Sequence, residues 1–418
     1  MTTWELTESR DRRPRSLRRQ WPIPDQPGKF GSRFRFLASQ ARYGQWIFWQ
    51  DRVEALLGNR IDFIYPLHAE VHASSSCNYG CSWCSVKGLR RCTGQPSSGQ
   101  LQLVVKRLAE HGIGIQWTGG EPLCNAALLE AMKLAAEYAL PQCVFTNGSL
   151  LDDAAIRDLV RVRPVFVRVS LNAVTRDVHR RLHRYSSGRD YCSAAKNGLK
   201  ALVSAARGTG VSIGVSVVFN HLNVQDLPRV ASFVADLPPR NGDVDIFVVV
   251  RPIYDFSREP RAGTDAYLLA ALKDWMPGGA FERPLRESGI SVVVPCGPPG
   301  DISECRHYLA CSLFIEVGPS AEVYLCSDRY GDQEYEIGNL RLRSLAQIMH
   351  GRKRLRVLRF AEEARCLHRR CPRYGRGATY NYLFQRLVQA ATVHPSRTAL
   401  WLDALRTSLR RPEHSFFM

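Results

Sequence analysis

A chain of 418 residues, 45% hydrophobic and 23% charged, has the composition of a globular protein and can bury one large core or two smaller ones. Its start, MTTWELTESRDRRPRSLRRQ, has no apolar stretch, which argues against a secretory signal, and no apolar run is long enough to span a bilayer. The formal net charge of +18 sits largely in Arg-rich runs at 11–19 and 350–359, neither interleaved with stacking aromatics, so nucleic acid is disfavoured as a partner.

Residues 1–66 read as a basic extension ending in a helical pattern, RFLASQARYGQWIFWQDRVEALLG. From 67 to 260, short β-branched runs alternate with helical stretches. The predicted strands are HAEVHAS (68–74), GIQWTG (114–119), QCVFTN (142–147), VFVRVSLNA (165–173), VSIGVSVVFN (211–220) and DIFVVVRPI (245–253). Helical patterns fall between them, such as LLEAMKLAAEYAL (128–140) and AAKNGLKALVSAAR (194–207). This alternation predicts an α/β fold with a parallel sheet, and ligand sites at the C-terminal ends of the strands. A linker over 261–300, ending in the Pro- and Gly-rich PCGPPGD, leads to a small Cys-containing module at 301–385. A helical tail occupies 386–418.

Thirteen cysteines, an odd number, suit thiols kept reduced in a cytoplasm better than a disulfide framework. Cys77, Cys81 and Cys84 form a C-x₃-C-x₂-C triplet directly after the first predicted strand. Three thiolates in one loop can reach one metal centre, and three ligands leave a cubane cluster with an iron that the protein does not hold. Zinc or buried free thiols are the alternatives, but the x₃ spacing and the missing local fourth ligand speak against zinc. The second strand ends in Gly119, Gly120, Glu121 and Pro122. Two glycines let backbone approach a ligand, and a carboxylate can accept from an ammonium group. Thr146 and Asn147 end the third strand, Ser170 and Asn172 the fourth, and Asn220 the fifth.

The triplet and the GGEP segment together resemble the radical S-adenosylmethionine (radical SAM) enzymes. That resemblance implies a partial (βα)6 TIM-like barrel and a 4Fe–4S cluster on the three cysteines. It also implies SAM bound at the open iron and a 5′-deoxyadenosyl radical that abstracts a substrate hydrogen atom. GGEP would bind the SAM amino group; Thr146, Asn147, Ser170, Asn172 and Asn220 would line the pocket; Arg181 or Arg184 would meet the SAM carboxylate. Flavodoxin or ferredoxin would be the electron donor.

Cys311 and Cys326 bracket SLFIEVGPSAEVYL, a hairpin-like pair of strands, and IGNLRLRSLAQIMHGRKRLR leads on to Cys366 and Cys371. These four resemble the ligands of a SPASM/twitch-type α+β iron–sulfur module holding a second, auxiliary 4Fe–4S cluster; structural zinc is the alternative, and Cys305 or Cys296 could replace one ligand. Three departures from that pattern stand out. Ala321 replaces an expected glycine, the last cysteine pair is spaced x₄, and the later cysteines needed for two auxiliary clusters are absent. Cys192 and Cys296 are candidate hydrogen-atom donors, whereas Cys143 reads as core. The resemblance points first to dehydrogenation or epimerisation of an amino sugar or aminocyclitol in antibiotic biosynthesis. Modification of a ribosomally made peptide is the alternative, and RNA modification the third.

Overall fold

The computed structural model describes residues 66, 68–81, 83, 84, 86, 94–185, 188–237, 243–252, 273–275, 278–293, 314–363 and 396. All six predicted strands form: β1 His68–Ser74, β2 Gly114–Gly119, β3 Gln142–Thr146, β4 Phe166–Ser170, β5 Ser212–Phe219 and β6 Ile246–Pro252. The intervening helices are α1 Ser98–Ala109, α2 Ala127–Glu137, α3 Asp153–Val162, α4 Arg176–His183, α5 Tyr191–Ala205 and α6 Leu227–Ala235. The six strands lie side by side in chain order and all run parallel, as a partial (βα)6 barrel requires. The strand expected over 165–173 stops at Ser170 because the Asn172 side chain takes over, accepting from Val218 N at 2.7 Å.

Period-2 alternation gives the sheet two different faces. Ala69, Val71 and Ala73 of β1, Ile115 and Trp117 of β2, and Val215 and Val217 of β5 join one large apolar core with helix residues such as Leu101, Leu108, Leu128 and Leu199. The opposite face of β1 carries His68, Glu70 and His72, all buried. Farther along it, Cys143, Phe166, Phe247 and Val293 make a separate apolar cluster, so Cys143 is core as expected. Helix starts follow local chemistry: Ser97 closes a capping box with Gln100, and the Asp152 carboxylate accepts from Ala155 N at 2.8 Å.

Two features extend the sheet beyond the six expected strands. The segment expected as a linker over 261–300 contains helix α7 Glu282–Glu287 and strand β7 Ser291–Val293, which pairs parallel with β6. On the other side, β8 Phe314–Val317 pairs parallel with β1, so the C-terminal hairpin continues the barrel sheet. β8 turns into β9 Glu322–Tyr324 and then β10 Glu336–Asn339, both antiparallel, giving ten strands among the described residues. Ala321, standing where glycine was expected, adopts that glycine's left-handed backbone at φ 65° in the β8–β9 turn.

Helices α8 Leu345–Met349 and α9 Arg352–Glu363 follow, α8 opening on a Ser344–Gln347 capping box. The basic run at 350–359 is thus half helix surface and half packing. Arg354 is fully buried and its Nη1 donates to Met349 O at 3.1 Å. Among the described residues no helix is long and apolar enough to cross a membrane.

Candidate active site

The triplet loop leaves the C-terminal end of β1 and is tied to the end of β2 by main chain. Gly120 N donates to Ser74 O at 2.9 Å and Glu121 N to Ser76 O at 2.8 Å. That closeness demands the first glycine of the motif. Gly119 has φ 126°, and a Cβ there would lie 2.5 Å from Ser74 O. Cys77, Cys81 and Cys84 are partly exposed on this loop and form no disulfide. Tyr79 N points at Cys77 Sγ at 3.4 Å, and Cys84 N donates to Cys81 O at 3.4 Å.

Glu121 is buried, and the protein itself supplies donors to both carboxylate oxygens. Thr146 Oγ1 donates to Oε1 at 2.7 Å, Leu123 N to Oε1 at 3.2 Å, and Asn147 N to Oε2 at 2.6 Å. Burial pushes this carboxyl up to about 7, against those hydrogen bonds, which favour the charged form. The carboxyl group therefore joins the ends of β2 and β3. Pro122 begins a short 3₁₀ turn, Pro122–Cys124.

The third strand end reaches back to the cysteine loop. Asn147 Nδ2 donates to Asn78 Oδ1 at 2.8 Å, and Asn78 Nδ2 donates to Ser149 Oγ at 2.7 Å. Asn78, between Cys77 and Cys81, escaped the sequence reading; its signal was a polar residue inside a metal-ligand loop. Asn172 and Asn220 serve the backbone at the ends of β4 and β5. Asn172 Oδ1 accepts from Val218 N, and Asn220 Oδ1 accepts from Leu222 N at 2.8 Å. Asn223, also missed, donates to Asn172 O at 2.7 Å and Val218 O at 3.0 Å. Ser170 is half-buried at the end of β4.

A ring cluster on the far side of the loop was not anticipated either. Tyr79 packs against His183 (centroids 4.5 Å), His179 (5.6 Å), Tyr185 (5.7 Å) and Tyr191 (5.7 Å). His183 Nδ1 lies 3.1 Å from Cys81 Sγ, and its carbonyl accepts from Gly80 N at 2.7 Å. Burial holds His179 down at about 4 and His183 well below the usual imidazole range, so both rings are neutral near pH 7. The signal in the sequence was the i, i+4 pair in VHRRLH, which puts two histidines on one face of α4.

Arg181 and Arg184 are both exposed, on α4 and at its left-handed C-cap (φ 45°). The structure does not choose between them. Cys192 is buried on α5 with its thiol 3.4 Å from Val174 O, and burial pushes it up to about 11. Cys326 is buried in the core at the end of the hairpin, heading the short turn Ser327–Arg329. Cys296, Cys305, Cys311, Cys366 and Cys371 lie outside the described residues.

The donor set fits a three-ligand cluster: three cysteines outside any disulfide on one loop at the strand ends, braced by Asn78, Tyr79 and His183. Among the described residues no three His, Cys, Asp or Glu side chains converge to hold a single ion. Thiols that each ligate a separate iron need no such convergence. A parallel sheet in barrel order, with this loop and the GGEP segment locked together at its first two strand ends, is the arrangement that the resemblance to radical SAM enzymes implies. Residues 71–234 match the Radical SAM superfamily.

Among curated proteins, the chain is 25% identical over 177 residues to the sporulation killing factor maturation protein SkfB of Bacillus subtilis. That match covers 42% of this chain and 41% of SkfB. It is 23% identical over 177 residues to the PqqA peptide cyclase of Gluconobacter oxydans, covering 41% of this chain and 47% of that protein. The matches thus span about half or less of these relatives. Among solved structures, Streptococcus suis SuiB bound to its precursor peptide SuiA shares the fold. Its TM-score is 0.56 at 12% identity, covering 73% of this chain and 70% of SuiB.

Proposed function

We propose that this chain is a radical SAM enzyme that abstracts a hydrogen atom from a peptide substrate. The observation that carries the SAM reading is the hydrogen-bonded junction of the Cys77–Cys84 loop with the GGEP segment, through Gly120 N–Ser74 O and Glu121 N–Ser76 O. Cys77, Cys81 and Cys84 would hold a 4Fe–4S cluster. The Glu121 carboxylate and the main chain around Gly119 and Gly120 would receive the SAM ammonium. With SAM bound, a cluster of this kind supplies a 5′-deoxyadenosyl radical on one-electron reduction. The chain's own part is to orient the cofactor at the strand ends and to shield it, which Tyr79 and its ring cluster do on one side.

The peptide reading is supported by the likeness to a peptide cyclase. The amino sugar or aminocyclitol reading draws its support from the sequence resemblance alone, and so does an auxiliary cluster on Cys311, Cys326, Cys366 and Cys371. The test is anaerobic reconstitution followed by dithionite-driven SAM cleavage, with short peptides encoded beside the gene and with aminocyclitols run in parallel. The expected result is 5′-deoxyadenosine above the substrate-free background, and a mass change, with a peptide. Turnover of an aminocyclitol alone would replace the peptide reading. Wild-type protein that holds iron and sulfide yet fails to cleave SAM would refute the SAM reading itself.

A further inference from the structure

We propose that His183 is a positioning residue for the iron–sulfur site, its Nδ1–H donating a hydrogen bond to Cys81 Sγ and thereby raising the reduction potential of the cluster. The inference rests on the radical SAM reading and adds a residue outside the triplet and outside GGEP.

Three observations place the ring. Nδ1 is 3.1 Å from Cys81 Sγ, within reach of a hydrogen bond to sulfur. The ring is held in that pose by its neighbours: Tyr79 at 4.5 Å, His179 at 4.4 Å and Trp83 at 5.8 Å between centroids. The main chain of the same residue is pinned to the loop, since Gly80 N donates to His183 O at 2.7 Å. A Cβ at position 80 would lie 3.0 Å from the next carbonyl, Arg184 O, so the C-terminal end of α4 sits close against the loop.

Nε2 is buried and meets no hydrogen-bonding atom among the described residues. Of the two ring nitrogens, Nδ1 is therefore the one with a polar neighbour, and that neighbour is a cysteine of the triplet. A cysteine that ligates iron does so as a thiolate, which accepts hydrogen bonds and has no proton to give. A neutral ring facing it is best placed with its single proton on Nδ1. A hydrogen bond to a ligating sulfur stabilises the more negative, reduced cluster more than the oxidised one. His183 thus eases the electron uptake on which the chemistry depends. Removing the donor should shift the balance between oxidised and reduced cluster about tenfold toward oxidised, a fall of about 59 mV for one electron.

The experiment compares wild type, His183→Phe and His183→Asn after anaerobic reconstitution, with potentials read by EPR-monitored titration. The relevant signal is the one that a Cys77/Cys81/Cys84→Ala variant lacks. His183→Phe keeps a ring against Tyr79 but has no donor, and the asparagine amide nitrogen can occupy the place of Nδ1. Expected are equal iron and sulfide contents, a potential about 59 mV lower in His183→Phe, and recovery of most of that in His183→Asn. An unchanged potential in His183→Phe, or an equal fall in both variants, would overturn the inference.

Should His183→Phe fail to hold a cluster, wild type labelled with ¹⁵N-histidine decides. The reduced cluster should then couple to one histidine nitrogen and to an exchangeable proton, and absence of both overturns the inference. A wild type with no cluster would overturn the radical SAM reading together with this one, whereas a cluster indifferent to His183 overturns only this one.

Discussion

Gly119 and Gly112 both have positive φ, and replacing each with alanine separates backbone strain from crowding. At Gly112, with φ 62°, a new Cβ meets nothing within 4 Å. Holding alanine in the left-handed region costs about 1–2 kcal/mol. The stiffer unfolded chain gives back about 0.4–1 kcal/mol. Gly112→Ala should therefore lose about 1 kcal/mol or less. At Gly119, φ is 126° and the Cβ would sit 2.5 Å from Ser74 O, 3.1 Å from Ser74 N and 3.4 Å from His72 Cα, all of them backbone atoms. The strain of so rare a backbone is about 1–3 kcal/mol. The clash can be relieved only by moving β1 from β2, which opens the Gly120 N–Ser74 O bond and leaves groups worth about 1–3 kcal/mol unsatisfied. The two terms total about 2–6 kcal/mol, less the same roughly 0.4–1 kcal/mol from the unfolded chain, so Gly119→Ala should lose about 3 kcal/mol, about 2 kcal/mol more than Gly112→Ala. Urea unfolding followed by circular dichroism measures both, and iron content after reconstitution reports the displaced loop. Equal midpoints, or a Gly119→Ala variant with full iron content and wild-type stability, would refute the argument that β1 and β2 are locked at this glycine.

Asn125 stitches three segments together, its Nδ2 donating to Ala73 O and Pro96 O at 2.7 and 2.9 Å and its Oδ1 accepting from Ala127 N at 3.1 Å. Asn125→Ala should cost about 2–3 kcal/mol in the same unfolding assay, and the isosteric Asn125→Asp no less, because neither restores a donor to the two carbonyls. Glu121 holds its proton more tightly in the folded protein than in the unfolded chain, burial having raised it from the usual 4.5 to about 7. Its contribution to the stability of SAM-free protein is therefore full below about pH 4.5 and declines as pH rises through about 7. Glu121→Gln should flatten the fall in midpoint between roughly pH 4.5 and 7, and parallel slopes in the two proteins would contradict the assignment. Because an ammonium group favours the ionised carboxylate, SAM should bind wild type about eightfold more tightly at pH 7.5 than at pH 6 by calorimetry. Glu121→Gln should bind SAM weakly at both.

The parallel sheet was legible because its signals are local. HAEVHAS and GIQWTG became β1 and β2 with the predicted bounds, since each run is bracketed by Ser or Gly and is too short for a helix. The cysteine triplet and GGEP were legible for the same reason, each a compact motif at a strand end. What the sequence hid was long-range pairing. Phe314–Val317 pairs with β1 across more than two hundred residues, and Ser291–Val293 is three residues long within a Pro- and Gly-rich stretch. Neither carries a periodicity that could announce its partner. Ala321 shows the opposite case. The position asked for a glycine, the chain supplies alanine, and the backbone keeps the left-handed turn regardless, because β8 and β9 pair on both sides of it.

The polar residues divide along the same line. Reading Glu121, Asn172 and Asn220 as cofactor ligands followed from their place at strand ends, and each proves to hold backbone. Glu121 joins β2 to β3, Asn172 joins β4 to β5, and Asn220 fixes the turn after β5. A strand end that leaves its last N–H and C=O groups unpaired must satisfy them with side chains, so these residues serve the fold. Asn78 and His183 belong to the same logic from the other direction. Neither stands at a strand end, yet one ties the cysteine loop to the β3 turn and the other meets its central thiol. The loop is thus braced by β2 through main chain, by β3 through Asn78 and by α4 through His183. A ligand loop held from three sides keeps its thiols in place before any metal arrives, which is the preorganisation that a catalytic cluster site requires.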